Sequence, residues 1–169
     1  MKRDFKDFLL FLPLIKNSIK GKFSFKKIKE TKAKAEYLNM INLIESKSYI
    51  FEAEKVNPMG GANISIKGEG DYLKIDNDCV NTFLPYFGVL HSNAGNYGNG
   101  SIKINNAIES YKVFYNDVKK KISIKFKGYK NLEAFNIMLE VYIGGTASLS
   151  IFGSNRSTIC YDGIIHKVK

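Results

Sequence analysis

The chain has no tryptophan, two cysteines, two histidines and three prolines among its 169 residues. Two cysteines allow one disulfide at most, so the fold must depend on a hydrophobic core, and a chain of this length can form one. Cys79 and Cys160 lie on separate strand-like runs, and whether they pair depends on the distance between those strands, which the sequence leaves open. Neither cysteine belongs to a CxxC pair or lies near a histidine, which disfavours zinc binding and thiol chemistry.

Motifs for catalysis, metals and cofactors are equally scarce. His91 and His166 stand alone, without HxH or HExxH spacing. The glycine-rich loop at residues 92–100 lacks the GxxxxGK[ST] pattern and leads into a strand, so it lacks the helix N-terminus that binds phosphate. We therefore predict no catalytic, cofactor-binding or metal-binding residues and no cofactor, and we expect that the protein is not an enzyme.

Charge is concentrated at the N-terminus. The formal net charge is +10, and residues 1–36 hold eleven basic and four acidic side chains, a net charge of +7. The other 133 residues carry a net charge of only +3. A nearly neutral body disfavours nucleic acid as a partner, because nucleic-acid-binding domains carry basic patches on their folded surface.

Residues 1–30 are predicted to form a leader outside the main domain, which would comprise residues 31–169. A basic start and an apolar run at residues 8–15 resemble a degenerate export signal, although Asp4 and Asp7 interrupt the basic part. Eight apolar residues are too few to span a bilayer, which needs about 20. Alternatively, phenylalanines that alternate with lysines would give peripheral membrane contact, or the leader is a plain soluble tail. We expect an exported protein of the periplasm or cell envelope, with a cytoplasmic location as the alternative.

The body of the chain alternates between apolar and polar residues. Residues 31–46 first show a helical spacing of apolar side chains, which predicts one amphipathic helix that covers a sheet. From Ser48 onward the period is two, which is typical of half-buried antiparallel strands. Short turn sequences such as Gly144-Gly145 and Asp162-Gly163 separate successive runs. The sequence thus predicts a mainly β fold, an antiparallel sheet of roughly nine or ten strands forming a sandwich or partly closed barrel, with one N-terminal helix.

Several short motifs in the body are similar to those of a known family. They are Pro58-Met59-Gly60-Gly61, Leu84-Pro85-Tyr86-Phe87-Gly88, Gly145-Thr146-Ala147-Ser148-Leu149, Asn155-Arg156-Ser157 and Tyr161-Asp162-Gly163. In order and spacing, residues 42–165 resemble the domain-of-unknown-function family 4251. The resemblance implies a small exported or lipid-anchored protein of the bacterial envelope, with no assigned activity. Two departures are the degenerate signal and the absence of a lipobox cysteine after the apolar run.

The best candidate for a recognition surface is the aromatic corner that follows the strand at residues 78–84. Pro85 should end the strand, and Gly88 should supply a backbone conformation that other residues avoid. Loops rich in Tyr, Asn, Gly and Ser adapt well to polar partners. The corner and the loop after it therefore predict a recognition rim made of Tyr86, Phe87, Asn93, Asn96 and Tyr97, although the corner itself reads better as an architectural joint in which Tyr86 and Phe87 pack against the sheet.

Two further clusters are weaker candidates. Lysines at residues 119–121, with Lys125, Lys127 and Lys130 around Phe126 and Tyr129, could contact an anionic polymer or lipid headgroup, or could simply keep a sheet edge from aggregating. Asp71, Asp76 and Asp78, with Glu69 nearby, form the one local group of carboxylates and read as a solvated turn or a weak calcium site.

We therefore expect a non-enzymatic, envelope-associated binding or structural module that is a monomer. Its partner would be a protein, a glycan or a small apolar ligand. The alternative is a carrier that holds a small apolar ligand in a barrel or a helix-covered cleft. A hydrolase is disfavoured, because no nucleophile and base stand in a recognisable arrangement.

Overall fold

The structure is a computed structural model that describes residues 12–91, 101–130 and 133–168, with side chains from residue 27 onward. Within these residues, one helix precedes ten strands. Helix α1 spans Leu12–Glu45, and the strands are β1 (Ser48–Pro58), β2 (Ile64–Ser65), β3 (Tyr72–Asp76), β4 (Cys79–Pro85), β5 (Ser101–Ala107), β6 (Glu109–Asn116), β7 (Lys121–Lys130), β8 (Glu133–Tyr142), β9 (Thr146–Gly153) and β10 (Ile159–Lys167).

All ten strands belong to one antiparallel sheet. Nine of them follow the order β5-β4-β3-β1-β10-β9-β8-β7-β6, and the short strand β2 pairs with β1. The β6 to β10 part is a meander of hairpins, as the turn sequences predict. The sheet curls until its two ends approach each other, so the predicted mainly β fold with one helix is confirmed, and of the two predicted forms the sheet adopts the nearly closed barrel.

The seam of this barrel lies between β5 and the second half of β7. A Cβ atom at Gly128 of β7 would lie 3.2 Å from Cγ2 of Ile104 on β5, so the absence of a side chain lets the strands approach. Beside it, the Asn106 side-chain amide donates a hydrogen bond to the Tyr129 carbonyl at 2.5 Å. The described contacts across the seam are side-chain packing and this amide bond rather than a continuous ladder.

The core consists of the side chains that point inward at every second position of the strands. In β7, for example, Ile122, Ile124 and Phe126 are buried while the lysines between and after them remain more accessible. The largest fully buried side chains come from strands all around the barrel: Tyr49, Phe51, Leu73, Leu84, Phe135 and Tyr161. They form one continuous hydrophobic cluster, which is the consequence of the period of two in the sequence.

The chain divides into two compact units, Met1–Glu36 and Tyr37–Lys169. In the first unit the helix is already formed at Leu12, well before the predicted start at residue 31. Pro13 is compatible with a first helical turn, and no other proline follows before Glu45, so nothing in the sequence stops the helix there. Within the described residues no helix is long and apolar enough to cross a membrane. The division into a leader and a main domain stays a prediction.

In the second unit, the last turns of α1 pack on β6 and the turn after it. Tyr37 is buried, and its hydroxyl donates to the Asp117 carboxylate at 3.0 Å. The hydroxyls of Tyr49 and Tyr111 lie 3.0 Å apart. The predicted role of the helix as a cover for the sheet therefore holds for residues 37–45.

The two cysteines are free thiols in the structure. Cys79 begins β4 and Cys160 lies in β10, and strands β3 and β1 separate them in the sheet. The Cys160 thiol instead lies 3.4 Å from the Ser150 hydroxyl.

Candidate functional site at the corner after strand β4

The corner, residues 85–91, begins where β4 ends. Pro85 is the last residue of the strand, and its carbonyl accepts a hydrogen bond from the buried Tyr161 hydroxyl at 2.7 Å. Because proline has no N–H to continue the ladder, the chain turns here. The prediction that Pro85 ends this strand is confirmed.

Tyr86 fastens the corner to the segment between β9 and β10. Its side chain is 6% exposed, and its hydroxyl lies 2.9 Å from the Val89 carbonyl and 2.9 Å from the Ser157 hydroxyl. The Ser157 hydroxyl also accepts from the Val89 N–H at 3.0 Å, and the Ser157 N–H donates to the Val89 carbonyl. These bonds satisfy the polar atoms of a tight, partly buried turn.

Gly88 is required by lack of space rather than by backbone conformation. A Cβ atom on this residue would lie 2.6 Å from the Ser157 hydroxyl oxygen and would also overlap the Tyr86 hydroxyl. Its φ is not in the left-handed region, so the predicted backbone reason for this glycine is wrong. The glycine allows the chain to pass directly over the hydroxyl pair.

Arg156 is the centre of the site. Its guanidinium lies 4.8 Å from the centroid of the Tyr86 ring and 5.2 Å from that of Phe135. It also makes a two-point ion pair with Glu133, with Nε–Oε1 at 2.7 Å and Nη2–Oε2 at 2.6 Å. Both charged side chains are almost buried, at 11% and 13% exposure. A planar guanidinium suits this arrangement because it can stack on rings and bind a carboxylate in one plane.

Three exposed apolar side chains project from this braced corner. Phe87, Val89 and Leu90, the apolar rim, are 48%, 64% and 55% exposed. Leu90 forms a bridge with Arg156, and the His91 N–H donates to the Asn155 carbonyl, so the backbone that carries the rim is held on both sides. Large apolar groups that cluster on a surface are typical of a protein interaction site.

The structure divides the predicted recognition residues. Phe87 is on the surface, as a rim residue must be. Tyr86 is buried, because its hydroxyl and its ring make contacts inside the corner. The prediction that Tyr86 is part of the exposed rim is therefore wrong, and the residue stabilises the corner from within. Asn93, Asn96 and Tyr97 lie outside the described residues, and their role stays a prediction.

Sequence reasoning missed Arg156, Val89 and Leu90 as parts of one site. In the sequence, Arg156 stands out only through the motif Asn155-Arg156-Ser157, and nothing local indicates that this motif meets Leu84-Pro85-Tyr86-Phe87-Gly88 in space. Val89 and Leu90 could have been recognised as two apolar residues that follow a turn glycine without strand alternation.

The acidic residues singled out in the sequence do not come together. Asp76 and Asp78 lie at the end of β3 and in the turn after it, where they pair with Lys74 and Lys47. Asp71 precedes the opposite end of β3. Among the described residues, no group of three or more His, Cys, Asp or Glu side chains could hold a metal ion.

Asp71 is unusual because it is only 5% exposed and no described group bonds to its side chain, leaving Oδ2 buried without a partner. Burial raises the pKa of this carboxyl, and the nearby charge of Glu69 adds to the rise. The residue lines a surface cleft of about 500 Å³ that also contains Glu54 and Lys67, which pair with each other at 2.7 Å.

Comparisons with known proteins agree with the fold. A family model described as "Domain of unknown function (DUF4251)" matches residues 31–165. A solved structure, the crystal structure of a DUF4251 family protein from Bacteroides eggerthii, is similar to this chain with a TM-score of 0.63 and 15% sequence identity. The similarity covers 79% of this chain and 88% of that one, and at this identity it is evidence of a shared fold alone. No curated protein matches the chain.

Proposed function

The chain belongs to the DUF4251 family, a domain of unknown function, and from that premise we propose that it is a non-enzymatic binding module of the bacterial envelope. Its partner is a protein that covers the apolar rim. The observation that carries this proposal is the exposure of Phe87, Val89 and Leu90 on a corner whose own polar groups are already satisfied.

Preorganisation supports the assignment of the rim as a binding surface. The rim backbone is held by the Tyr86 hydroxyl, the Ser157 hydroxyl and the bridge from Leu90 to Arg156. A surface that is already fixed loses little conformational freedom on binding, so more of its contact energy contributes to affinity.

The hydrogen bonds that polar side chains near the rim make to one another support a non-enzymatic role. Ser157 is fixed by Tyr86 and Val89, and Glu133 is fixed by Arg156, so these polar side chains beside the rim have internal partners. This pattern is typical of a structural joint, since a reaction centre presents its nucleophile or base to a substrate. The carrier hypothesis has less support because large side chains such as Tyr49, Phe51 and Tyr161 occupy the interior.

Photo-crosslinking in cells tests the rim. A photoreactive phenylalanine analogue at position 87 or 90 should give a discrete crosslinked protein band. The same analogue at Val118, which is 95% exposed on the turn between β6 and β7, is the matched control and should not. The change Val89→Glu should abolish the band from position 87. Equal bands at positions 87 and 118, or none at either, would show that the rim is not a protein-binding surface.

Mass spectrometry of the protein from fractionated cells tests the envelope location. We expect the chain in the periplasmic or membrane fraction. An intact Met1 in the soluble cytoplasmic fraction would overturn the location without affecting the crosslinking result.

A further inference from the structure

A second surface stands out on the outer face of β6 to β9. Its side chains surround a groove of about 450 Å³. We call it the lysine face, and it consists of Lys112, Lys125, Lys127, Met138 and Phe152, with Phe114 beside them.

The three lysines are close to one another by strand register. Lys112 and Lys125 are direct partners across β6 and β7, and Lys127 follows two residues later on the same side of β7. Like charges directly opposite each other destabilise an antiparallel pair. The arrangement therefore costs stability unless an anion lies nearby.

Carboxylates on the described surface offset only part of this charge. None of the three lysines forms an ion pair with a described residue. Glu140, on the same face, is paired with Lys121. Glu109 is opposite Lys127 and accepts a hydrogen bond from the Tyr129 hydroxyl at 3.0 Å.

An irregularity in β6 creates the lysine pair. The register shifts between Glu109 and Lys112, and Ser110 has a φ of 56°, in the left-handed region. A bulge of this kind changes which side chains face outward. Here it turns Tyr111 toward Tyr49 and places Lys112 beside Lys125.

Exposed aromatic rings flank the lysines. Phe114 is 52% and Phe152 is 41% exposed, and Lys125 Nζ lies 5.7 Å from the centroid of the Phe114 ring. A small hydrated anion would need only the lysines. A lipid surface uses both, because headgroups attract the ammonium groups while the rings enter the interfacial region. We propose that the lysine face binds the phosphate headgroups of an anionic phospholipid membrane.

The absence of tryptophan from the chain allows a direct test in the full-length protein. Phe114→Trp and Phe152→Trp place a single reporter at the lysine face. Phe83→Trp is the matched control, since Phe83 is 40% exposed on β4 and has Lys103 Nζ 4.7 Å from its ring centroid. Vesicles of phosphatidylcholine mixed equally with phosphatidylglycerol should shift the emission of the first two reporters to shorter wavelength. Vesicles of phosphatidylcholine alone should not.

Charge variants test the lysines in the Phe114→Trp protein. The triple change Lys112→Gln, Lys125→Gln and Lys127→Gln should weaken binding to the mixed vesicles by at least about tenfold, given three cations near the surface. A control triple with the same loss of charge, Lys55→Gln, Lys103→Gln and Lys167→Gln, should change it by less than about threefold.

Any one of four results would overturn the proposal. An equal shift from Phe83→Trp, or equal losses from the two triples, would assign binding to net charge or to the basic N-terminal residues. No shift at either lysine-face reporter would exclude membrane contact there. A change in the emission of the Phe114→Trp reporter with inorganic phosphate, but not with sodium chloride at the same ionic strength or with the mixed vesicles, would assign the groove to free phosphate. None of these results bears on the apolar rim.

Discussion

At the scale of single residues, the stability of the corner depends on the nearly buried pair of Arg156 and Glu133. Changing Arg156 to Gln would leave the Glu133 carboxylate without its cation and would remove the stack on Tyr86. Removing one partner of a buried pair costs about 3 kcal/mol, because the other charge is left uncompensated. We expect the free energy of unfolding, measured with urea, to fall by about this amount.

A matched control for this change is Lys121→Gln. Lys121 pairs with Glu140 at 2.5 Å, but both side chains are about a quarter exposed, at 27% and 26%. This loss should stay below about 1 kcal/mol. Adding Glu133→Gln to the Arg156 variant should recover part of its loss. Equal losses at the two ion pairs would contradict the structural role of Arg156.

Asp71 provides a second prediction at this scale. Burial raises the pKa of its carboxyl in the folded state, so the folded protein favours the protonated form. The contribution of Asp71 to stability is therefore complete below the pKa of the unfolded chain and is lost as pH rises through the pKa of the folded protein. As pH rises from 3 to 7 the wild type loses this contribution, whereas Asp71→Asn does not ionise, so the variant should gain on the wild type by on the order of 1 kcal/mol. The gain should disappear near pH 3, as measured by urea unfolding at both pH values. Asp76→Asn, which removes a partner of Lys74, should show no such gain.

Residue roles were harder to predict from sequence than residue positions. The end of β4 at Pro85 could be predicted because proline acts on the backbone locally, whereas the reason for Gly88 could not, because it depends on the space beside Tyr86 and Ser157. Arg156, which packs on the ring of Tyr86 in this corner, lies 71 residues after Pro85 in the sequence. No local sequence pattern indicates that the two segments are in contact. Whether Tyr86 is packed or exposed depends on the same contact, so the sequence leaves both alternatives open for this residue.

At the scale of elements, Gly128 tests how the barrel is closed. A Cβ at this position would already lie 3.2 Å from Ile104, so Gly128→Ala requires a small shift and Gly128→Val a larger one. Overpacking of this kind costs about 1–3 kcal/mol, and we expect the valine variant to be the less stable of the two. Amide hydrogen exchange should become faster in β5 and stay unchanged in β9. Unchanged exchange in β5 would show that close packing at Gly128 does not hold the seam.

Elements were well predicted wherever one face of a strand is buried. A period of two fixes which residues face the core, so strands such as β7 and β8 follow from the sequence. The bulge between Glu109 and Lys112 was missed, because an extra residue changes the pairing without changing composition. The early start of α1 was missed because residues 12–30 carry lysines and phenylalanines without a clear apolar stripe.

At the scale of the whole molecule, the core, the apolar rim and the lysine face differ in their physical character. Inward positions around the barrel are apolar, the corner joins strands that are distant in sequence, and the lysine face collects charge on the outside. The mainly β class could be predicted because it depends on alternation, whereas the choice between the predicted sandwich and the predicted partly closed barrel could not, because it depends on contacts between β5 and β7. The same core determines how the molecule responds to high pH.

Three buried tyrosines should make the protein sensitive to alkali. Desolvation raises the pKa of Tyr37 to about 12, helped by the Asp117 carboxylate, and burial raises those of Tyr49 and Tyr161 as well. The neutral forms are favoured in the folded state, so their contribution to stability is complete below the unfolded pKa near 10 and is lost as pH rises through the folded values. We expect the free energy of unfolding to decline above about pH 10, and to decline less steeply in Tyr37→Phe.

At pH 8 this variant should be less stable than the wild type by about 1 kcal/mol, because it lacks the hydrogen bond to Asp117. The difference should narrow between pH 8 and pH 11 in urea titrations, whereas a constant difference would mean that Tyr37 ionises no less readily in the folded protein than in the unfolded chain.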